Sequence, residues 1–291
     1  MPPISIVTPS FNQGKFLRAA MRSVLEQQEI SLEYIVMDGG STDGSPEVIH
    51  DYESRLHYWR SAPDAGHYAA INEGFSHSTG EVMAWLNSDD QYLPGALSIV
   101  AEIFASFPKI EWLTTLFPMR WDERGRVVRC SARRGYSRAA FLAGENMPIG
   151  DWHSEGCIQQ ETTFWRRSLW ERAGGSLDTQ WKLAADFELW ARFFKYAELY
   201  AVDTPLGGFR GHGNQKTHLQ RGAYENEAKE ILRGAGGGVP GRWRSALRAI
   251  AAKRLPEQLR PLARGAGLLH ESKVCTFLGA EQGWTIAHTF H

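Results

Sequence analysis

The first hundred residues alternate between short strand-like runs and amphipathic helical patterns, and this alternation restricts the fold more than any other feature. Residues 4–8 and 32–37 are short runs of strand type, and the second is apolar enough to be covered on both faces. Between them, residues 17–25 carry apolar side chains at helical spacing. A strand, a helix and a strand in this order predict a right-handed parallel unit. Because similar units follow, the sequence predicts an α/β fold with a mostly parallel sheet flanked by helices.

A buried-strand pattern over residues 82–86 runs into two adjacent carboxylates, Asp89 and Asp90, and Pro94 then favours the start of a new helix. The carboxylates therefore lie at the carboxyl end of a strand, where open α/β sheets bind their ligands. Two close carboxylates repel each other unless a cation lies between them, and divalent metals prefer oxygen ligands. A solvated Asp-Asp turn is the simpler explanation of the pair taken alone.

The second strand ends at Asp38, and a turn with three glycines follows over residues 39–44. In a nucleotide pocket, the carboxylate would accept a hydrogen bond from a base or ribose, and the glycines would let the backbone approach the ligand. A plain glycine-rich turn is the alternative. Neither a dinucleotide-binding fingerprint nor a phosphate loop occurs. A phosphate would thus need another partner, which a metal on Asp89 and Asp90 would provide.

The pattern changes after residue 110, where residues 112–128 suggest an antiparallel addition to the sheet. Residues 144–157 are irregular and polar, and we interpret them as a mobile acceptor loop. Asp186 falls in the first turn of a strong helix, where a carboxylate either caps free amides or does chemistry. His212 lies in a polar segment that suits an anionic or metal-bound ligand, although a lone histidine is more often structural.

A glycine-rich linker over residues 234–241 precedes a basic amphipathic pattern over residues 243–255. Such a helix either lies on an anionic membrane surface or packs on the main domain with a solvated basic face. Residues 273–291 suggest a small strand or strap without a definite place.

Composition excludes several functional classes. The chain has 291 residues, 43% of them hydrophobic, and a net charge of −1, so we expect one large domain with appendages and no nucleic-acid binding. Its cysteines, Cys130, Cys157 and Cys275, are too few and too far apart for a disulfide framework or a zinc cluster, which fits a reducing compartment. No apolar run has the length of a signal peptide or a membrane span. We therefore expect a cytoplasmic protein, with peripheral contact to the inner face of the membrane through the basic segment as an open alternative.

Three motifs in fixed order resemble glycosyltransferase family 2: residues 8–12 (TPSFN), residues 38–44 (DGGSTDG) and residues 85–90 (WLNSDD), the last followed by Leu93-Pro94-Gly95. Looser similarities extend the resemblance to about residue 217; they lie at residues 160–164, 185–190 and 210–212. The resemblance implies the GT-A fold, which is one nucleotide-sugar-binding α/β domain with an acceptor-binding half. The expected organisation is a donor half at 1–110, an acceptor and catalytic half at 111–221, and a linker with a helical basic extension at 222–291.

The resemblance also implies roles for single residues. Asp38 resembles the family's base-contacting acid. The other residues expected in the nucleotide pocket are Thr8, Pro9, Ser10, Asp64, Ser88 and Asp89. Asn87 replaces the first aspartate of the family's Asp-x-Asp motif, so the metal ligand is either Asp89 or Asp90, with the other carboxylate available to the ribose. His212 resembles a histidine that supports the metal or the diphosphate.

The acceptor side follows from the looser motifs. Asp186 resembles the catalytic base, and the residues expected near the acceptor are Gln160, Glu161 and Trp165. The implied activity is inverting, hexosyltransferase-like transfer from a nucleoside diphosphate sugar to a hydroxyl of a glycan or lipid-linked acceptor. The transfer would use Mn²⁺ or Mg²⁺ and serve cell-surface polysaccharide assembly. Uridine diphosphate is the family's commonest donor nucleotide, while the residues themselves name neither base, sugar nor acceptor.

Two alternatives stay open at this point. A sugar nucleotidyltransferase also uses acidic metal ligands on an α/β domain, but it normally carries a glycine-rich basic loop where this chain has residues 9–12. A non-catalytic sugar or nucleotide binder could keep the fold, and Asn87 in place of the motif's first aspartate is compatible with that interpretation.

Overall fold

The structure, a computed structural model, describes residues 1–148, 156–213, 215, 219–238, 256, 258, 263 and 269–290. The strands in these residues are β1 (Ile4–Ser10), β2 (Leu32–Asp38), β3 (Tyr58–Ser61), β4 (Val82–Trp85), β5 (Gln91–Tyr92), β6 (Trp112–Thr115), β7 (Met119–Trp121), β8 (Val127–Cys130), β9 (Phe164–Arg166), β10 (Leu199–Val202), β11 (Gly207–Arg210), β12 (Glu271–Phe277) and β13 (Trp284–Phe290). The α-helices are α1 (Gly14–Leu25), α2 (Ser45–His50), α3 (His67–Ser76), α4 (Ala96–Ser106), α5 (Arg138–Leu142), α6 (Arg167–Arg172), α7 (Ala185–Phe193) and α8 (Arg221–Gly234). Short 3₁₀ turns lie at Glu53–Arg55 and Gln160–Thr162.

The central sheet has nine strands in the order β13-β12-β10-β6-β9-β4-β1-β2-β3 among the described residues. β1 pairs in parallel with β2 and β4, and β2 pairs in parallel with β3. β9 is antiparallel to both β4 and β6, and β13 is antiparallel to β12. The predicted α/β class with a mixed, mostly parallel sheet is confirmed.

A second, smaller sheet has the order β5-β11-β7-β8. β5 is only two residues long, yet it pairs with β11, which lies more than a hundred residues further along the chain. β7 and β8 form an antiparallel hairpin in this sheet. The antiparallel addition predicted for residues 112–128 is more complex, because β6 enters the central sheet in parallel with β10 while the hairpin belongs to the second sheet.

The chain beyond residue 221 contributes more than a helical extension. α8 directly follows the predicted acceptor half, and residues 271–290 form the hairpin of β12 and β13 at one end of the central sheet. This hairpin gives a place to the strand suggested near the end of the sequence. The predicted basic helix at 243–255 lies outside the described residues. So do residues 149–155 of the proposed acceptor loop.

Tryptophan side chains fill the centre of the core. Trp85 stacks on Trp190 with ring centroids 6.2 Å apart, and it meets the edge of Trp165 at 5.5 Å. All three side chains are buried. The structure places Trp165 wholly inside this core. Packing therefore accounts for the residue, and we assign it no contact with the acceptor.

Gly74 lets α3 lie very close to the sheet. A Cβ atom at this position would lie 2.6 Å from Val7 Cγ1 and 3.1 Å from Met37 Cγ. We expect Gly74→Ala to lower the free energy of unfolding by about 1–3 kcal/mol, because α3 would have to move away from the packed strands. Gly222→Ala in α8 is the matched control. Nothing lies within 4 Å of a Cβ there, and alanine favours a helix by about 1 kcal/mol over glycine. Urea unfolding measures both, and equal destabilisation would contradict the packing argument.

Candidate active site

The parallel pairing of β1, β2 and β4 brings the three main sequence motifs to one edge of the sheet. Ser10 pairs with Asp38 at the carboxyl ends of β1 and β2, and Asp38 also pairs with Ser61 at the end of β3. β4 lies on the other side of β1 and ends just before Asn87. The site therefore forms where open α/β sheets bind ligands.

Asp38 is fully buried, and both of its carboxylate oxygens accept hydrogen bonds from its own neighbourhood. One oxygen accepts from the Ser41 hydroxyl at 2.5 Å; the other accepts from the Ser61 hydroxyl at 2.7 Å and from the backbone amides of Ser41 and Gly40 at 2.9 and 3.2 Å. The carboxylate thus orders the glycine-rich turn. A nucleotide that contacts Asp38 would share these oxygens with the turn.

The turn after β3 lies against the turn after β2. A Cβ atom at position 39 would lie 3.0 Å from Asp64 Oδ2, so Gly39 allows the two turns to approach each other. Asp64 is exposed and accepts a hydrogen bond from the amide of Gly66 at 2.7 Å. Phe11, which sequence reasoning did not single out, is 61% exposed beside the same glycine. The two turns therefore place an exposed carboxylate and an exposed aromatic ring side by side at Gly39.

The remaining residues expected in this pocket lie deeper. Thr8 is fully buried in β1, and its hydroxyl accepts a hydrogen bond from Tyr34 at 3.0 Å. Pro9 and Ser88 are also buried. The Ser10 hydroxyl is buried and has no hydrogen-bond partner among the described residues. Among these four residues, Ser10 is thus the one whose buried hydroxyl lacks a hydrogen-bond partner in the described chain.

Asp89 and Asp90 lie in a tight turn but have different surroundings. Asp90 is fully buried and accepts a hydrogen bond from the backbone amide of Arg210 at 2.8 Å. Its burial raises the pKa well above the ordinary range, and the negative charges of Asp89 and Glu161 raise it further. Asp89 is less buried, and its Oδ2 lies 2.8 Å from Nε2 of His212. Asp90 is thus a buried carboxyl bonded to the backbone, whereas Asp89 is more exposed and pairs with His212.

The second sheet carries His212 to this turn. β11 pairs with β5, which directly follows the two aspartates, and the Arg210 guanidinium donates from Nε to the Asp89 carbonyl at 2.6 Å. The ring of Phe16 lies 4.9 Å from the His212 ring. His212 is therefore a positioned partner of Asp89.

The donor chemistry of this turn suits a divalent cation. Asp89 and His212 supply a carboxylate and an imidazole, and Mg²⁺ or Mn²⁺ commonly completes its shell with waters and substrate phosphates. The Oδ1 atom of Asn87, in the same sequence motif, is buried without a hydrogen-bond partner in the described chain. No three His, Cys, Asp or Glu side chains form a closed metal cage within the residues that the structure describes. The arrangement fits a metal held by two side chains and a diphosphate.

Asp186 lies in the first turn of α7, and its side chain is half-buried. Desolvation by the surrounding protein raises its pKa to about 6, although the amide of Phe187 donates to Oδ1 at 2.8 Å. The group is therefore ionised at neutral pH and able to accept a proton.

Glu161 lies in the short 3₁₀ turn Gln160–Thr162. It is only 4% exposed, and burial raises its pKa to about 8, with smaller contributions from the charges of Asp186 and Asp89. One carboxylate oxygen of Glu161 and the amide oxygen of Gln160 lack a hydrogen-bond partner among the described residues. Gln160 is held in place because its Nε2 donates to the Trp85 carbonyl at 2.5 Å. The charges of Asp186 and Asp89 are thus both close enough to Glu161 to influence its titration.

Comparison with known proteins gives one consistent class. The family model described as glycosyl transferase family 2 matches residues 5–114. A relative from Nostoc sp., named an uncharacterized glycosyltransferase, is 34% identical over 238 residues, covering 78% of this chain and 70% of the relative. A Campylobacter jejuni relative named GalNAc(5)-diNAcBac-PP-undecaprenol beta-1,3-glucosyltransferase is 31% identical over 106 residues, covering 35% of this chain and 34% of its own length.

Solved structures share the fold at low sequence identity. TarS 1–349 of S. aureus in complex with UDP-GlcNAc has a TM-score of 0.57 and 15% identity, covering 91% of this chain and 79% of that one. The mannosyltransferase PcManGT of Pyrobaculum calidifontis, in complex with GDP-Man and Mn²⁺, has a TM-score of 0.54 and 18% identity, covering 92% and 80%. The fold is that of the GT-A glycosyltransferases. The chain belongs to glycosyltransferase family 2, and it is a transferase enzyme.

Proposed function

We propose that the chain is an inverting glycosyltransferase that moves a sugar from a nucleoside diphosphate to an acceptor hydroxyl. The observation that carries this proposal is a set of unpaired buried polar atoms in the motifs at the carboxyl edge of the sheet, where Asp89 also pairs with His212. Four buried polar atoms without a partner in the described chain belong to the motifs of this site: Ser10 Oγ, Asn87 Oδ1, Gln160 Oε1 and Glu161 Oε1. Buried polar groups are normally paired, so a cluster of unpaired ones suggests a site that a ligand completes.

The donor half would hold the nucleotide between the turns that carry Asp38 and Asp64, with Phe11 at the rim. We assign the metal ligands to Asp89 and His212, because Asp90 is fully buried and already accepts the Arg210 amide. Asp90 then orders the turn. A bound Mn²⁺ or Mg²⁺ would supply positive charge against the diphosphate leaving group.

The acceptor half would supply the base. An acceptor hydroxyl is a poor nucleophile until a carboxylate removes its proton during attack, and Asp186 with a pKa of about 6 suits that task at neutral pH. The unpaired Gln160 amide oxygen can accept a hydrogen bond from a sugar hydroxyl, and the Glu161 carboxyl, mostly protonated at neutral pH because burial raises its pKa to about 8, can donate one. With the diphosphate on the Asp89 side and the base on the Asp186 side, attack comes from the face opposite the leaving group and inverts the anomeric carbon.

We infer the class of donor and acceptor from the comparisons. TarS 1–349 was solved in complex with UDP-GlcNAc, and the Campylobacter relative is named as a glucosyltransferase of a PP-undecaprenol glycan. We therefore propose a UDP-sugar donor and a glycan or lipid-linked acceptor in cell-surface polysaccharide assembly. Peripheral membrane contact through the basic segment after residue 241 is a proposal from sequence alone. Within the described residues, no helix has the length and apolar character needed to cross a bilayer.

Donor hydrolysis tests the proposal without knowledge of the acceptor. The chain is incubated with UDP-glucose, UDP-galactose, UDP-GlcNAc and GDP-mannose in the presence of Mn²⁺, with water as the acceptor. Nucleoside diphosphate release is measured, and proton NMR records the anomer formed first. We expect one donor to be hydrolysed with inversion; a retained configuration would contradict the mechanism. A non-catalytic binder would bind a donor and release no nucleoside diphosphate.

The pH dependence of this hydrolysis reports the base. Because Asp186 acts in its ionised form and burial raises its pKa to about 6, kcat should rise as pH increases through about 6 and level off above 7. A rate that is flat from pH 5 to pH 7 would contradict the assignment of Asp186.

A further inference from the structure

The start of α7, which carries Asp186, lacks a capping side chain of its own. Its N-cap residue is Ala184, whose side chain has no acceptor for the free backbone amides at a helix start. Uncapped helix starts fray easily, and fraying here would move the carboxylate proposed to act as base.

Glu227 of α8 instead holds the segment that leads into α7. Its carboxylate accepts hydrogen bonds from three consecutive backbone amides: those of Leu183 and Ala184 at 2.9 Å, and that of Lys182 at 3.1 Å. Hydrogen bonds to an ionised acceptor are about twice as strong as neutral ones. Three of them on consecutive amides fix the backbone that leads into α7.

A tyrosine from the donor half holds the same segment from another side. Tyr68 of α3 donates its hydroxyl to the Leu183 carbonyl at 2.9 Å. The segment before α7 is thus held by α8 through its backbone amides and by α3 through a backbone carbonyl.

The titratable groups that interact electrostatically with Asp186 come from three parts of the chain. They are Tyr68 on α3, Tyr224 and Glu227 on α8, and Cys157 and Glu161 before β9. Burial is the main cause of the raised pKa of Asp186, and the negative charge of Glu227 adds to it. Glu227 thus influences Asp186 in two ways: it holds the backbone before α7, and its negative charge contributes to the raised pKa of Asp186.

We propose that Glu227 is a positioning residue for the catalytic base, so that α8 belongs to the active site. The proposal rests on the proposed function, in which Asp186 is the base. It extends the site past residue 217, where the recognisable motifs end, and it gives a functional role to a helix that lies outside the residues matched by the family model.

The test compares Glu227→Gln with Glu230→Gln, a matched change at an exposed position of the same helix. Glutamine at 227 removes the negative charge and turns one acceptor oxygen into a donor that faces backbone amides. Because small misplacements of a catalytic group are costly, we expect kcat for donor hydrolysis to fall about tenfold or more, with the KM for the donor nearly unchanged. Glu227→Asp keeps the charge and should recover part of the lost rate. Glu230→Gln should match the parent chain.

A second readout does not depend on turnover. In protein labelled with ¹³C at the aspartate carboxyl carbon, the Asp186 signal is identified by its loss in Asp186→Asn. It should titrate near pH 6 in the parent chain and at lower pH in Glu227→Gln, because a neighbouring negative charge has been removed. If Glu227→Gln only destabilised the fold, activity would fall in proportion to the folded fraction, and the Asp186 signal would still titrate at the pH of the parent chain. Both variants are therefore also checked by thermal unfolding.

The outcomes separate this proposal from the proposed function. If Asp186→Asn is inactive while Glu227→Gln keeps the parent kcat and titration, the positioning role is overturned and the base assignment stands. If Asp186→Asn keeps turnover, the base assignment falls, and the role of Glu227 falls with it.

Discussion

Asp186→Asn is expected to lower kcat by about 10²- to 10⁴-fold, the range that general-base catalysis contributes in enzymes. Asparagine keeps the size of the side chain and an oxygen that can accept the Phe187 amide, so the start of α7 should be preserved. Burial already disfavours the charge at this position and raises the pKa of Asp186 to about 6, so the neutral side chain should not lower the melting temperature. Donor affinity should stay within about threefold, because donor binding involves the opposite side of the site.

The control for this prediction is Asp203→Asn, an exposed aspartate just after β10. It makes the same chemical change at an exposed position that is not among the residues assigned to the site, and it should leave kcat unchanged. Hydrolysis rates and donor KM are measured for both variants with the UDP-sugar that the parent chain accepts. Near-normal turnover by a folded Asp186→Asn protein would end the base assignment.

Asp89→Asn is expected to weaken Mn²⁺-dependent donor binding by about 10²-fold or more, because an ionised ligand to the metal would be lost. Asp90→Asn is the discriminating comparison. Its side chain is fully buried and bonded to the Arg210 amide, and asparagine can still accept that hydrogen bond. We therefore expect Asp90→Asn to reduce donor binding by less than about tenfold, even though the two aspartates are neighbours.

Electron paramagnetic resonance of free Mn²⁺ measures this difference directly, in the presence and absence of UDP. The parent chain and Asp90→Asn should take up Mn²⁺ when UDP is added, while Asp89→Asn should leave it in solution. A reversed order would transfer the ligand role to Asp90. Donor binding that survives thorough chelation in the parent chain would remove the metal from the account.

The donor edge of the site could be predicted because each of its motifs directly follows a strand. Asp38 ends β2, and Asp89 follows β4, so a parallel sheet necessarily brings them to one edge. The apolar runs and glycine-rich turns that mark these positions are local signals, and local signals can be read from a single chain.

The partner of Asp89 could not be predicted in the same way. His212 reaches Asp89 because β11 pairs with β5, and a two-residue strand leaves almost no pattern in the sequence. Resemblance to a known family supplied the histidine. The physical pairing behind it is a contact between residues more than a hundred positions apart, and it is set by tertiary structure.

The sequence also does not show which side chains are buried or which helices pack together. Trp165 was expected near the acceptor, but it packs in the core, since a sequence pattern does not distinguish an exposed tryptophan from a buried one. Glu227 lies on a helix beyond the recognisable motifs, and its three amide partners appear only when α8 packs against the start of α7. Both features depend on how elements pack, which periodicity alone does not show.

Thermal unfolding with nucleoside diphosphates tests the central claim, that this sheet edge is a metal-assisted donor site, most directly. The parent chain is heated with ADP, GDP, UDP, CDP and dTDP, each with and without Mn²⁺. A ligand present at about a hundred times its Kd stabilises the folded chain by about 2.7 kcal/mol, so the melting temperature should rise by several degrees. We predict that UDP raises it and does so only with Mn²⁺. No rise with any of the five nucleotides, in either condition, would contradict the account.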